Sequence, residues 1–417
     1  MKASDLNREL AYYVELDAKL VAAAASIKVL SSLAWPTHLY QDFIDAWNHD
    51  RPKLPAVEYP RNRLSDRCFA LEEVIKAAGS GHPIGDYISA TAQSYIAAAQ
   101  MLEHVGTPEF SLLSQQLYGT PHELSGVRSN LSLADDFLKI AGTHSAPKRD
   151  GVECNLSPDQ VASELGQLAI EFFRPHKVSV VVDQSITAKA AAGAERIRIR
   201  GMTTFTRAEV DQLREHELYV HSATRLNGRE QPYLKSLALG APRTVTTQEG
   251  LATYAELITT TMDTGRLSRI AMRIKAIAMA LDGGDFIDVF RFFLEAGQSE
   301  RESFQSTARV FRGGDVRGRH VFTKDVVYLK GLMSVHSFLV SSFGLHKFDD
   351  LEDLFLGRLA LSDVPAFKEF RSAGFITGPR YVPPWARRLI NSSNTQLDQD
   401  IRSLIRPKIP ADLSNSD

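Results

Sequence analysis

The hexapeptide His216-Glu217-Leu218-Tyr219-Val220-His221 restricts the local fold of this chain more than any other stretch. Two histidines enclose a glutamate in the pattern His-Glu-x-x-x-His. If both imidazoles serve one purpose, both must leave their helix on the same side. Residues four apart share a face of an α-helix. Five steps of about 100° leave the two side chains roughly 140° apart. A π-bulge, which inserts one residue into the turn, brings them together, and such bulges recur at functional sites. The spacing therefore predicts a helix that is widened near 217–220.

Two histidines and a carboxylate on one side of a helix suit a catalytic zinc centre. Such a centre takes three protein ligands and leaves a fourth position for water. The metal lowers the pKa of that water to about 7 and polarises a carbonyl. A neighbouring carboxylate then accepts the proton, a role that fits Glu217. The third ligand should come from a nearby element. Glu249, in Thr-Thr-Gln-Glu-Gly-Leu-Ala, follows His221 on the next predicted helix and would complete a His₂Glu set of His216, His221 and Glu249. The plain alternative is a helix whose histidines are structural, and the spacing alone leaves both readings open. His122-Glu123 has no second histidine after it and reads as structural.

Composition removes several other function classes. Forty-eight Lys and Arg against 50 Asp and Glu give a net charge of −2, without the footprint of a general nucleic-acid binder. Cys68 and Cys154 cannot build a disulfide framework or a cysteine-rich zinc site. The N-terminal segment is charged throughout and offers no apolar core of a signal peptide. The stretch 21–35 is interrupted by Lys28 and falls short of about 18 uninterrupted apolar residues. The expectation is a soluble, cytoplasmic protein with neither nucleic acid nor membrane as partner.

Along the chain, helical periodicity dominates residues 1–150, read as an N-terminal helical lobe. A helix over 1–35 should stop at Trp35-Pro36, because the residue before proline is driven out of the α region. Arg51–Leu64, with three prolines, reads as a loop, and helices are expected over 65–102 (split at 79–86), 109–118 and 129–141. The polar stretch 145–159 suggests a boundary, with a catalytic core over 151–377 and a proline-rich extension over 378–417. In that core Val178–Val182 is the best strand. Arg196–Arg200, Arg-Ile-Arg-Ile-Arg, alternates strictly and reads as a half-buried or edge strand. The intervening Ile186–Glu195 reads as a turn or helical crossing. Thr206 is a good N-cap for the motif helix. Helices are also expected over 244–261, over 266–297 as a pair broken at Gly283-Gly284, and over 326–340. The segment 301–330 holds seven Lys and Arg against three Asp and Glu, an excess of four positive charges.

Three segments together, HELYVHSATRLNGREQP, LGAPRTVTTQEGLA and FTKDVVYLKG, resemble the QEGLA-motif family. This group of zinc hydrolases includes the microtubule-associated tyrosine carboxypeptidases, and some bacterial members are labelled flavohemoglobin expression-modulating. The resemblance is strongest over 178–335, with softer echoes at 27–36 and 116–121. It implies a zinc-dependent peptidase with one zinc per chain, in which His216, His221 and Glu249 bind the metal and Glu217 is catalytic. No departure appears in either motif. The histidine spacing is also similar to that of the dipeptidyl peptidase III family, but nothing else of that larger enzyme is present. The implied fold is α+β and predominantly helical, with a small β-sheet packed beside a zinc-binding helix in a gluzincin-like core.

The eukaryotic relatives remove a C-terminal tyrosine from tubulin, so a peptide or protein C-terminus is the expected substrate. A carboxypeptidase needs a cation for the substrate's terminal carboxylate, a task that suits arginine. Arg243, Arg312 and Lys324 are the candidates. Tyr328 is a candidate donor to the tetrahedral oxyanion. Asn227 and Gln231 read as turn-shaping residues. Glu256 reads as surface-exposed, with a supporting role behind a zinc histidine as the alternative. Arg196–Arg200 is offered as the edge on which an extended peptide would pair. Two other classes stay open: a zinc-binding regulatory protein without turnover, and a zinc hydrolase of a non-peptide amide or modified peptide.

Overall fold

The computed structural model describes residues 3–143, 155–186 and 188–391. Helices dominate. The small sheets are a two-stranded hairpin of β1 (Leu124–Ser125) and β2 (Arg128–Ser129), and a three-stranded sheet of β3 (Ser179–Asp183), β4 (Ala190–Ala192) and β5 (Arg196–Arg200). The expected α+β, mainly helical class is therefore what the chain forms. Contacts group the residues into two units, each assembled from separate stretches. The first holds Met1–Asp135, Ala241–Arg243 and Arg269–Leu329; the second holds Asp136–Gly240, Thr244–Ser268 and Lys330–Asp417. The boundary expected near 150 lies outside the described residues, as does most of the C-terminal extension.

In the first unit, the opening helix is shorter than its periodicity suggests. It runs Ala3–Ala24, and a separate short turn, Val29–Ser32, precedes Trp35-Pro36. Arg51–Leu64 carries no regular element, as its prolines require. Helices Ser65–Ala78, Pro83–Glu103 and Pro108–Tyr118 follow. Pro83 and Pro108 sit in first turns, where a missing N–H costs nothing. The core here is aromatic: Phe43 meets Phe286 edge-on at 5.1 Å and Phe290 at 4.9 Å, and Trp35 stacks on Phe286 at 5.6 Å. Ser111 and Ser114 reach residues 321–323, where the Ser111 hydroxyl donates to the Val321 carbonyl and the Thr323 amide donates to Ser114 Oγ at 2.8 Å. The helix Val326–Gly344 is long and apolar enough to cross a membrane by length and composition, but Val327, Leu329, Leu332, Val335 and Leu339 are all buried.

The second unit is built around the small sheet. Ser157 starts helix Pro158–Phe172 with a reciprocal capping box to Gln160. That helix lays Val161, Leu165 and Ala169 against Ile197 and Ile199 of β5, in one core with Val210, Leu213, Leu218 and Leu226 of the motif region. The alternation of β5 is real, since both isoleucines are buried while Arg196 and Arg198 are exposed. Its placement corrects the expected edge. β5 is the central strand, parallel to β3 and antiparallel to β4, so Arg196 and Arg198 mark a solvent face and not a sheet border, while Arg200 at its end is buried. The border strands are β3 and β4, and β4 lies in the segment expected to turn or form a helix. Three alanines carry no β signal, and it is pairing with β5 that makes them a strand.

Candidate functional site

Thr206 caps the helix that carries the motif, and its reciprocal bond with Glu209 fixes where that helix begins. An α-helical segment, Arg207–Leu213, then widens into a π-helix over Arg214–Ser222 and narrows again to α over Ala223–Glu230. This is the widening that the His-Glu-x-x-x-His spacing demands. With i to i+5 bonding, residues five apart stand over each other. His216 and His221 accordingly meet edge to face, ring centroids 4.7 Å apart and Nε2 atoms 3.1 Å apart.

Glu249 lies on helix Val245–Ile258 and turns its carboxylate to both rings, with Oε2 3.5 Å from each Nε2. The three donor atoms all fall within 4.8 Å of one another. A tetrahedral ion with bonds of about 2.0–2.1 Å would separate its ligands by roughly 3.3 Å, so the 3.1, 3.5 and 3.5 Å spacings fit such an ion. Two nitrogens and one carboxylate oxygen suit zinc.

Glu256 corrects the expectation of a surface residue. It is fully buried, and its Oε1 accepts from His216 Nδ1 at 2.6 Å. Arg266 donates to both oxygens at 3.0 Å, and Gln212 adds a bond of 2.9 Å. Burial disfavours the Glu256 anion, but Arg266 and His216 outweigh that effect and hold its pKa below the usual carboxylate range. Burial likewise opposes a charge on His216, yet hydrogen bonds to Glu249 and Glu256 prevail and raise its pKa. The signal missed in the sequence is that Glu256 sits seven residues after Glu249 in the otherwise uncharged run Leu-Ala-Thr-Tyr-Ala-Glu-Leu-Ile. His221 Nδ1, by contrast, is buried with no hydrogen-bond partner.

Glu217 is half-buried at the border of the sheet, and its Oε2 accepts the Ala192 amide of β4 at 3.0 Å. On either side of β4 the amide of Gly193 and the carbonyl of Lys189 bond to β5, so Ala190 and Ala192 turn their main-chain groups outward. The carboxylate thus sits on the outer border of β4. Asn227 and Gln231 are more than turn formers. Asn227 bonds the main chain of Phe355 and of Tyr381, and Gln231 bonds that of Leu356 and Thr377, tying two distant segments to the end of the motif helix.

Helix Val245–Ile258 approaches its neighbour closely at Gly250. A Cβ there would stand 2.3 Å from the Gly331 carbonyl oxygen and 2.8 Å from its Cα. Of the small residues of the Gln-Glu-Gly-Leu-Ala motif, Gly250 is the one this crossing requires.

The other expected site residues belong to the first unit. Arg243, in the turn Pro242–Thr244, lies over the Tyr87 ring at 5.8 Å. Tyr328 is nearly buried at the start of Val326–Gly344, with Lys324 Nζ 5.1 Å and the Arg273 guanidinium 5.5 Å from its ring centroid. Arg309 pairs twice with Asp325 at 2.6 Å and donates weakly to the Tyr328 hydroxyl at 3.5 Å. Arg312 lies over the Phe322 ring at 5.2 Å.

A family model described as microtubule-associated tyrosine carboxypeptidase matches residues 41–398. The chain belongs to that family. The match covers most of the sequence, including all three motif segments, and places this member of the tyrosine carboxypeptidase family among enzymes that cleave peptides at the C-terminus. No curated protein matches the chain.

Proposed function

We propose that this family member is a zinc-dependent carboxypeptidase that removes one C-terminal residue, tyrosine or another aromatic, from a peptide or protein. The observation that carries the reading is the convergence of His216, His221 and Glu249 beside Glu217. Zinc held by these three groups would act as a Lewis acid and lower the pKa of water at its open position. The chain's own residues do the rest. Glu256 accepts the Nδ1 proton of His216, which leaves the Nε2 lone pair free for the metal. Glu217 is anchored through Oε2, so Oε1 is the atom left to accept the proton of the attacking water and pass it to the leaving amine. An extended substrate would lie along the outer border of β4, pairing with the outward main chain of Ala190 and the carbonyl of Ala192, whose amide is already held by Glu217. Tyr328 as oxyanion donor, and Arg243, Arg312 and Lys324 as carboxylate partners, are proposals on chemical grounds. The gluzincin-like character of the core and the cytoplasmic location belong to the same reading.

The test is a mixed peptide library incubated with the purified protein after its metal content is measured, with products read by mass spectrometry. The expected outcome is loss of single C-terminal residues. Glu217→Gln should cut the rate by at least about 10²-fold and keep its zinc. A fully active Glu217→Gln variant would remove Glu217 from the mechanism. Intact peptides with one zinc per chain would favour the regulatory or specialised-amide alternatives.

A further inference from the structure

The two histidines of the motif are held in different ways. Glu256 fixes the His216 ring from behind, whereas His221 Nδ1 is buried with no hydrogen-bond partner among the described residues. The aim of the His221 ring therefore rests on its main chain and on what grips that main chain. The grip falls where the π-helix ends. The Val220 carbonyl accepts the Ala223 amide as the winding returns to α. The Thr224 hydroxyl lies 2.8 Å from the same carbonyl and 3.4 Å from that of His221. It also lies 2.8 Å from the side-chain amide oxygen of Gln248, the residue before Glu249 on helix Val245–Ile258. Both side chains are buried. One contact thus joins the turn that carries His221 to the turn that carries Glu249.

The hydrogen count decides the sense of that contact. A threonine hydroxyl has one hydrogen to give. The Val220 carbonyl and the Gln248 amide oxygen are both acceptors at 2.8 Å, so the hydroxyl cannot donate to both. Meanwhile the Gln248 NH2 is buried without a partner. A half-turn of the amide about its last bond gives the NH2 an acceptor in Thr224 Oγ1 and leaves the hydroxyl hydrogen for Val220. The plain alternative is a threonine that bonds back to its own helix. That covers the Val220 contact and leaves the buried Gln248 amide unexplained.

We propose that Gln248 and Thr224 form a positioning brace for the metal site, in which the Gln248 NH2 donates to Thr224 Oγ1 and sets the spacing between Glu249 and His221. The brace acts through the main chain of its neighbours, Glu249 on one helix and Val220-His221 on the other. It rests on the zinc part of the reading above and is independent of peptide cleavage.

The full chain would be stripped of metal, and its zinc affinity measured by competition with a chromophoric chelator. The visible spectrum of the cobalt(II)-loaded protein gives a second readout, of ligand geometry. Thr224→Val removes the hydroxyl at nearly constant volume. It should weaken zinc binding by about 10-fold or more, as losing a partner behind a metal ligand does, and should alter the cobalt spectrum. Thr224→Ser keeps the hydroxyl and should bring both readouts back toward those of the unaltered chain. Gln248→Met should match Thr224→Val, and the double variant should be no worse than either single one, because the two residues share one bond. Gln248→Asn keeps a buried amide with a shorter reach, and carries the test if the valine variant folds poorly. An unaltered chain that takes up no zinc would overturn the metal reading and the brace with it. If the unaltered chain binds zinc, unchanged affinity and cobalt spectra in Thr224→Val and Gln248→Asn would overturn the brace alone, as would additive losses in the double variant.

Discussion

Glu256 touches neither solvent nor the border of β4, yet it decides which nitrogen of His216 is free. Its carboxylate accepts a hydrogen bond from Nδ1–H, and Arg266 and Gln212 hold that carboxylate in place. Glu256→Gln should weaken zinc binding about 10- to 100-fold, the usual cost of losing such a partner. It should also destabilise the metal-free fold by about 3–5 kcal/mol, because the buried carboxylate charge that His216 and Arg266 share is removed. Chelator competition and urea melts separate the two effects. The same contacts make a second prediction. Glu249 and Glu256 raise the pKa of His216 in the metal-free chain, so the ring carries a proton at neutral pH. Stabilisation from that charge is complete below the ordinary imidazole value of about 6.5 and is lost only as pH rises above it. Zinc uptake near pH 7 should therefore release about one proton, and affinity should climb with pH. Calorimetry in buffers of different ionisation enthalpy measures the release; no release would mean a neutral His216. The sequence exposes the histidine pair and Glu249 because their spacing is local. It hides the burial of Glu256, since a lone acid on a helix looks the same whether it meets water or an arginine.

The element that matters most is the π-helix over Arg214–Ser222, and it was legible because five-residue spacing has no other helical solution. β4 was not legible. Ala190–Ala192 becomes a strand only through β5, and nothing in three alanines announces a partner. The alternation of β5 gave its two faces correctly and could not give its neighbours, because alternation encodes faces and not order in the sheet. Helix Val245–Ile258 supports a prediction of its own. Its crossing at Gly250 and Gly331 leaves no room for a methyl group against main-chain atoms, which cannot swing aside as a side chain can. Gly250→Ala should cost about 1–3 kcal/mol or more. It should also lower zinc affinity, because Glu249 is the adjacent residue and moves with the helix. Normal zinc binding with a normal melting curve would show that the two helices can separate without disturbing Glu249.

At the scale of the whole chain, the decisive contacts join segments hundreds of residues apart. In the first unit the helix Pro108–Tyr118 bonds to 321–323 through Ser111 and Ser114, and Phe43 packs on Phe286, Phe290 and Phe304. Local periodicity found each of these helices and could not pair them, since pairing is set by complementary surfaces and not by period. The pairing predicts how the chain tolerates cutting. A fragment of residues 151–417 keeps both zinc motifs and all of β3, β4 and β5. It removes residues 1–135 of the first unit and leaves Phe286, Phe290, Phe304 and Phe322, all buried in the intact chain, without their N-terminal partners. An apolar patch of that kind promotes aggregation. The fragment should therefore be poorly soluble or bind a hydrophobic dye strongly, whereas the intact chain should do neither. A soluble fragment with a cooperative melt would mean that residues 269–329 can close their core without the N-terminal helices. The aromatic contacts of Phe43 would then be additions to a fold that is already stable.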